Sequence, residues 1–224
     1  MVTIHQPDFM PWLGFFDRWA KSDLYVVLDD VQFLRRGWHH RDKIKTPHGA
    51  VWLTVPVKNK GRFEQQIREV EIDNDSNWRR KHLRTIQSAY FKAPNFENLF
   101  PKIEVVYGKD HEKLVDFNLE LLRLLAEAFG IKTPVALASD KQLSGEKSER
   151  LVNLVKLNKG TKYLTGSGSR SYLDENLFAA EDIEVAWQDF EHPVYAQLNG
   201  DFQSGLSALD YLMCRNGESS GIFC

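Results

Sequence analysis

VTIHQPDFMPWLGFFDRWAKSDLYVVLDD, residues 2–30, decides the fold. Val2 to His5 is short and β-branched, as strands are. Gln6-Pro7-Asp8 turns the chain. Pro11 opens a helix over Trp12 to Ser22, since proline is tolerated in a first helical turn. Phe15, Phe16, Trp19 and Ala20 carry helical spacing. Leu24 to Leu28 is an unbroken apolar run, expected of a strand covered on both faces. Strand, turn, helix and strand in so short a span make a βαβ unit with parallel strands and a right-handed connection. Asp29 and Asp30 stand where the second strand ends.

Outward from this unit, Gln32 to Lys45 is basic and aromatic, and Thr46-Pro47-His48-Gly49 is a turn. Val51 to Val57 and Ile67 to Ile72 read as strands. Asn77 to Lys92 reads as a helix, and Phe96 to Tyr107 as another, interrupted by Pro101. Leu114 to Phe129 is the clearest amphipathic helix, ended by Gly130. Strand and helix signals then alternate again. Val135–Ser139, Lys162–Thr165 and Ile183–Phe190 are strands; 147–158, 173–180 and 206–214 are helices. The reading is one α/β domain over residues 1–224, a mostly parallel sheet flanked by helices. A helical insert or face covers about residues 93–130.

Twenty-nine basic residues against 31 acidic leave a net charge of −2, with no global pull toward nucleic acid or membrane. Residues 1–12 show neither the charged start nor the long apolar stretch of a signal peptide. No apolar run is long enough to span a bilayer. The two cysteines, Cys214 and Cys224, form neither CxxC nor a framework, which suits a reducing compartment. A cytoplasmic location is therefore expected. Six Trp and fourteen Phe suffice to fill a core and to line a sugar or nucleotide pocket.

Five segments carry candidate chemistry. His5, Gln6 and Asp8 follow the first strand, where open α/β sheets gather functional groups. His5 is either a general base or a histidine holding the turn. Asp29, Asp30 and Gln32 follow the second strand; an aspartate there can orient His5, hold a sugar hydroxyl, or simply close a turn. Trp38, His40, Arg41, Lys43 and Lys45 form a basic, aromatic stretch suited to an anionic ligand, or else an exposed charged loop. Gly166, Ser167, Gly168 and Ser169, with Tyr172 nearby, lie between a strand and a helix; they offer backbone donors to an anion or make a plain turn. His192, Tyr195 and Gln197 follow the last strand as a pocket wall. No spacing signals a metal site, and no motif names a cofactor.

Taken in order, these segments resemble the WbqC-like family along nearly the whole chain. HQPDFMPWLGFFDRW, LDDVQF, KIKT with WLTVPV, WRRKHLRTIQSAYFKAP, YLTGSGSRSYLDENLF and FEHPVYAQ carry the likeness. The chain departs from the family pattern at His40, where Asn is usual, at Phe9 and Phe15, where Tyr is common, and at Cys214-Arg215-Asn216-Gly217. The resemblance implies a role in O-antigen or other surface-polysaccharide biosynthesis, with glycine transfer to a sugar as one suggested reaction. A weaker likeness links residues 4–33 to the opening of pantothenate synthetase and related nucleotidylyltransferases, with Trp12-Leu13-Gly14-Phe15 in place of their His-x-Gly-His.

The expectation is a transferase moving an acyl or aminoacyl group, glycyl included, onto an activated amino sugar. His5 would serve as base, Asp29 or Asp30 as its orienter, and Arg41, Lys43 and Lys45 as the diphosphate clamp. Two rivals stand beside it: an ATP-dependent adenylate-forming or nucleotidyl-transfer enzyme, and a non-catalytic nucleotide-sugar binding or scaffold protein. The expected ligand is a small molecule, a nucleotide sugar. A second copy of the chain or another biosynthetic enzyme is a candidate partner.

Overall fold

A computed structural model describes residues 1–141, 143–215 and 222–223. In chain order the elements are β1 (Val2–His5), α1 (Leu13–Ala20), β2 (Leu24–Val27), β3 (Arg41–Thr46), β4 (Gly49–Thr54), α2 (Trp78–Tyr90), α3 (Phe96–Gly108) and α4 (Leu114–Ala128). There follow β5 (Val135–Leu137), α5 (Lys147–Leu157), β6 (Lys162–Thr165), α6 (Glu175–Ala179), β7 (Glu184–Trp187) and α7 (Ala208–Cys214). The expected α/β class is what the chain adopts. Five strands form one parallel sheet in the order β5-β2-β1-β6-β7, and β3 and β4 form a separate antiparallel hairpin.

The period of two along each strand sorts the core into two clusters. Val2, Ile4 and Val26 face one side, where Val152 and Val155 of α5 and Phe178 of α6 cover them. Tyr25 and Val27 face the other side and join a larger cluster with Phe15, Phe16 and Trp19 of α1. Val2 pairs with Leu24 and His5 with Val27, so the two strands of the βαβ unit lie side by side and parallel. The three consecutive helices α2 to α4, the hairpin and α7 complete the larger cluster. Gly130 closes α4 with φ +74, and Ile131 N–H reaches back to Ala126 at 2.9 Å.

Two segments depart from the periodicity reading. Ile67–Glu69 is a 3-10 turn instead of a strand, tightened by a reciprocal capping box between Gln66 and Glu69. Ile67, Val70 and Ile72 are still buried, so alternation there reports burial without a ladder. Pro101 lies inside α3 without interrupting it. No helix among the described residues is long and apolar enough to cross a membrane. Cys224 and the Asn216-Gly217 pair lie outside the described residues.

The strand order places the site. From central β1 the chain moves outward to β2 and β5, then returns past β1 to β6 and β7. The loop after β1 leads to α1 on one face, and the loop after β6 leads to α6 on the other. Loops that part in this way leave a crevice at the carboxyl ends of the strands, at the topological switch point.

Candidate active site

That crevice is a cleft of about 920 Å³. Its walls include His5, Gln6, Asp8, Trp12 and Arg18 from the first βα segment, and Trp38, His39 and Asp42 from the hairpin and the loop before it. Thr165, Gly166, Gly168, Ser169 and Tyr172 come from the β6 side, and Lys147 and Arg150 from α5.

The loop after β1 is held rigidly. Asp8 N–H bonds back to the Gln6 carbonyl at 2.9 Å, a tight turn around Pro7. Met10 is fully buried with φ 44, a left-handed conformation that the surrounding packing must maintain. Phe9 N–H bonds to the Trp38 carbonyl at 2.9 Å, joining this loop to the one before the hairpin. Asn118 of α4 makes the same junction from beneath: its Nδ2 donates to the Pro7 carbonyl at 2.8 Å and to the His39 carbonyl at 2.7 Å.

His5 occupies the end of β1 with 35% of its side chain exposed to the cleft. Its Nδ1 lies 3.0 Å from the Gln6 carbonyl and 3.7 Å from Asp8 Oδ2. A carbonyl only accepts, so Nδ1 carries the proton and the neutral ring keeps its lone pair on Nε2. Desolvation lowers the His5 pKa from its usual value, with Arg18 and His39 adding to the effect and Asp8 opposing it. The ring is therefore a neutral base at neutral pH. Asp8 is shared: its other oxygen lies 3.2 Å from His39 Nδ1.

Asp42 is the most perturbed carboxyl of the cleft. It is 3% exposed, and its Oδ1 accepts from Lys43 N–H at 2.6 Å. Burial raises its pKa to about 8, with Asp8 adding to the rise and the Lys43 contacts opposing it. A neutral carboxylic acid at pH 7 is a recurrent device of acid–base sites. Arg18 of α1, 7% exposed, supplies the cleft's buried cation. It donates to Gln188 Oε1 at 2.6 Å.

The other residues singled out from sequence fall into three groups. Gln6, Trp12, Trp38, Gly166, Gly168, Ser169 and Tyr172 line the cleft with His5 and Asp8. Asp29 and Asp30 do not reach His5. Asp29 accepts from Ser139 N–H at 3.0 Å and Ser139 Oγ at 2.6 Å, closing the turn after β5, and Asp30 pairs with Arg150. Gln32 bonds to the Phe63 carbonyl, and Ser167 is not among the residues that line the cleft. The basic stretch is divided by the hairpin. Arg41 and Lys43 pack over the Trp52 ring at 4.5 and 5.4 Å, while Lys45 is buried against Gln197 and the Gly200 and Asp201 carbonyls. The His40 ring lies between two carbonyls, with Nδ1 3.1 Å from that of Val55 and Nε2 2.8 Å from that of Arg35. Outside the cleft lining, His192 stacks on Trp12 and Tyr195 donates to Asp210 at 2.7 Å. Phe9 and Phe15 are core residues. No metal-binding group of three His, Cys, Asp or Glu side chains occurs among the described residues.

Comparison with known proteins agrees with the sequence signature. The family model for the WbqC-like protein family matches residues 6–221. The chain belongs to the WbqC-like family. A relative in Mycobacterium tuberculosis, uncharacterized protein Rv1507c, is 38% identical over 220 residues, which cover 97% of this chain and 95% of the relative. No solved structure matches. The match begins at Gln6 and so takes in the cleft residues from the β1 loop onward.

Arg18, His39, Asp42 and Asn118 are the site residues that sequence reasoning passed over. A signal existed for two of them. Asp42 alternates with Arg41 and Lys43 on β3, which places it on the face of Ile44. Asn118 is the lone amide on the buried stripe of α4.

Proposed function

We propose that this WbqC-like protein is a transferase that places an acyl or aminoacyl group, glycyl included, on the amine of an activated amino sugar during surface-polysaccharide biosynthesis. The observation that carries the reading is the neutral His5 base, held by the Gln6 carbonyl and Asp8, facing a switch-point cleft that also contains a neutral carboxylic acid at Asp42. In the reaction, the acceptor nitrogen attacks the carbonyl carbon of an activated acyl donor such as a thioester. His5 Nε2 takes the proton from that nitrogen as the bond forms. The donor's leaving group departs as the tetrahedral intermediate collapses, and Asp42 can supply its proton. Trp12, Trp38 and Tyr172 give the cleft aromatic faces on which a sugar ring packs.

A second reading is nucleotidyl transfer, favoured by one observation. Counted in chain order, the sheet runs 3-2-1-4-5, the order of the first five strands of doubly-wound nucleotide-binding sheets. In that case ATP with Mg²⁺ would react with a carboxylate or a sugar phosphate and release pyrophosphate.

The test is a thermal-shift screen followed by turnover assays with dTDP-, UDP- and GDP-amino sugars, acyl-CoA, and ATP with Mg²⁺. A ligand at about 100 times its Kd stabilises by about 2.7 kcal/mol, which is roughly 5–10 °C for a chain this size. Stabilisation by an amino-sugar nucleotide and N-acylated product support the transferase. Stabilisation by ATP alone, with pyrophosphate released, replaces it by the second reading.

A further inference from the structure

Arg18 is a buried cation on which Asp8 and Asp17 act without pairing with it. Its guanidinium is buried, and its bond inside the protein goes to the neutral amide of Gln188. Both carboxylates are engaged with other groups. Asp17 takes Lys21 at 2.7 Å and Gln188 Nε2 at 2.6 Å, and Asp8 faces His5 and His39. No ion pair to Arg18 occurs among the described residues. A buried charge is normally paired, because an unpaired one forgoes several kcal/mol of solvation. An arginine kept in this state on a cavity wall is matched to an anion that arrives from outside.

The opposite wall is shaped to that need. A Cβ at Gly166 would lie 2.9 Å from Arg18 Nη1, so glycine leaves room for the guanidinium to lie against the β6 turn. Ser169 Oγ lies just beyond, within 3.2 Å of Thr165 Oγ1 and 2.9 Å of the Tyr172 hydroxyl. Arg18, Gly166, Ser169 and Tyr172 all line the same cleft as His5.

We propose that Arg18, with Ser169 and Tyr172 across the Gly166 turn, forms a phosphate-binding subsite of the cleft, the place of the diphosphate of a nucleotide-activated ligand. A planar carboxylate would be saturated by the guanidinium fork alone; a tetrahedral phosphate also presents oxygens to hydroxyls on a second wall. The subsite deepens the transferase reading and replaces Arg41, Lys43 and Lys45 as the expected clamp, since those side chains are engaged elsewhere.

The probe is inorganic pyrophosphate, titrated calorimetrically into the full chain at constant ionic strength. Wild-type protein binds it, and Arg18→Gln weakens binding by about 10- to 100-fold, the worth of a lost charge-assisted pair. Gly166→Ala, whose new methyl displaces Arg18, weakens binding in the same direction and decides the matter where Arg18→Gln does not fold. A second readout is the His5 ring, which faces Asp8, Arg18 and His39. A bound anion favours the imidazolium, so the His5 titration followed by NMR moves to higher pH with pyrophosphate. Unchanged affinity in Gly166→Ala and Arg18→Gln, or loss on Arg41→Gln in their place, overturns the subsite. Pyrophosphate binding without any acyl transfer leaves the subsite standing and removes the transferase reading. Acyl transfer with pyrophosphate affinity indifferent to Arg18 does the reverse.

Discussion

Asp42→Asn tests the central acid of the cleft through stability alone. In the native protein Asp42 titrates at about 8, against 3.8 for the unperturbed group, because burial excludes the carboxylate. Between those values the native state holds one proton that the unfolded state has released. Stability therefore falls as pH rises through this window, by about 1.4 kcal/mol per pH unit, and the loss is complete above the folded pKa. From about pH 5 to about pH 7 the wild type loses roughly 3 kcal/mol from this group. The asparagine variant, neutral throughout and of the same shape, loses none of it. Urea unfolding of both proteins at several pH values gives the difference directly. The stability gap should widen in favour of Asp42→Asn as pH rises, and N-acyl transfer should fall in the same variant. Such a pairing of stability gained and activity lost marks a group retained for function at the expense of the fold. A gap that stays constant with pH refutes the neutral acid, and with it the acid role of Asp42.

Other outcomes follow from the same geometry. His5→Ala should keep its melting temperature and lose about 10²–10⁴-fold in turnover, as measured with the acceptor that the screen identifies; full turnover removes the base. Because burial lowers the His5 pKa, the acidic limb of kcat/KM should lie below 6.5, the ordinary histidine value, and a limb above it contradicts the assignment. Tyr195→Phe should cost about 1–3 kcal/mol in urea unfolding, since Asp210 Oδ2 loses its 2.7 Å partner in a buried position. Phe16→Ala, at a fully buried site against Phe129 just past α4, should cost about 3–5 kcal/mol.

Spacing along a strand reveals some residues of the cleft and hides others. His5 was accessible because a polar residue at the end of a β-branched run predicts the carboxyl end of a strand, and that end is where the cleft lies. The 166–169 turn followed from the same logic at β6. Asp29 and Asp30 satisfy the same rule after β2 and yet serve neighbouring turns and Arg150, because β2 is not at the switch point. Position along one strand is local information; position relative to the reversal of strand order is not. The basic stretch shows a second limit. Arg41, Lys43 and Lys45 share one strand face by alternation, yet Lys45 is captured by a loop more than 150 residues away.

The sequence by itself determined the βαβ opening and the parallel sheet with its helices, which rest on periodicities that a short window contains, and the family, which rests on the order of motifs along nearly the whole chain. Only the tertiary structure decided the chemistry of the cleft. Arg18 gained its meaning from Gly166 and Gln188 on distant strands and loops, and Asp42 its raised pKa from the layers packed around β3. Charge without a partner and carboxyls without water are properties of an enclosure, and an enclosure exists only once remote segments have closed around it.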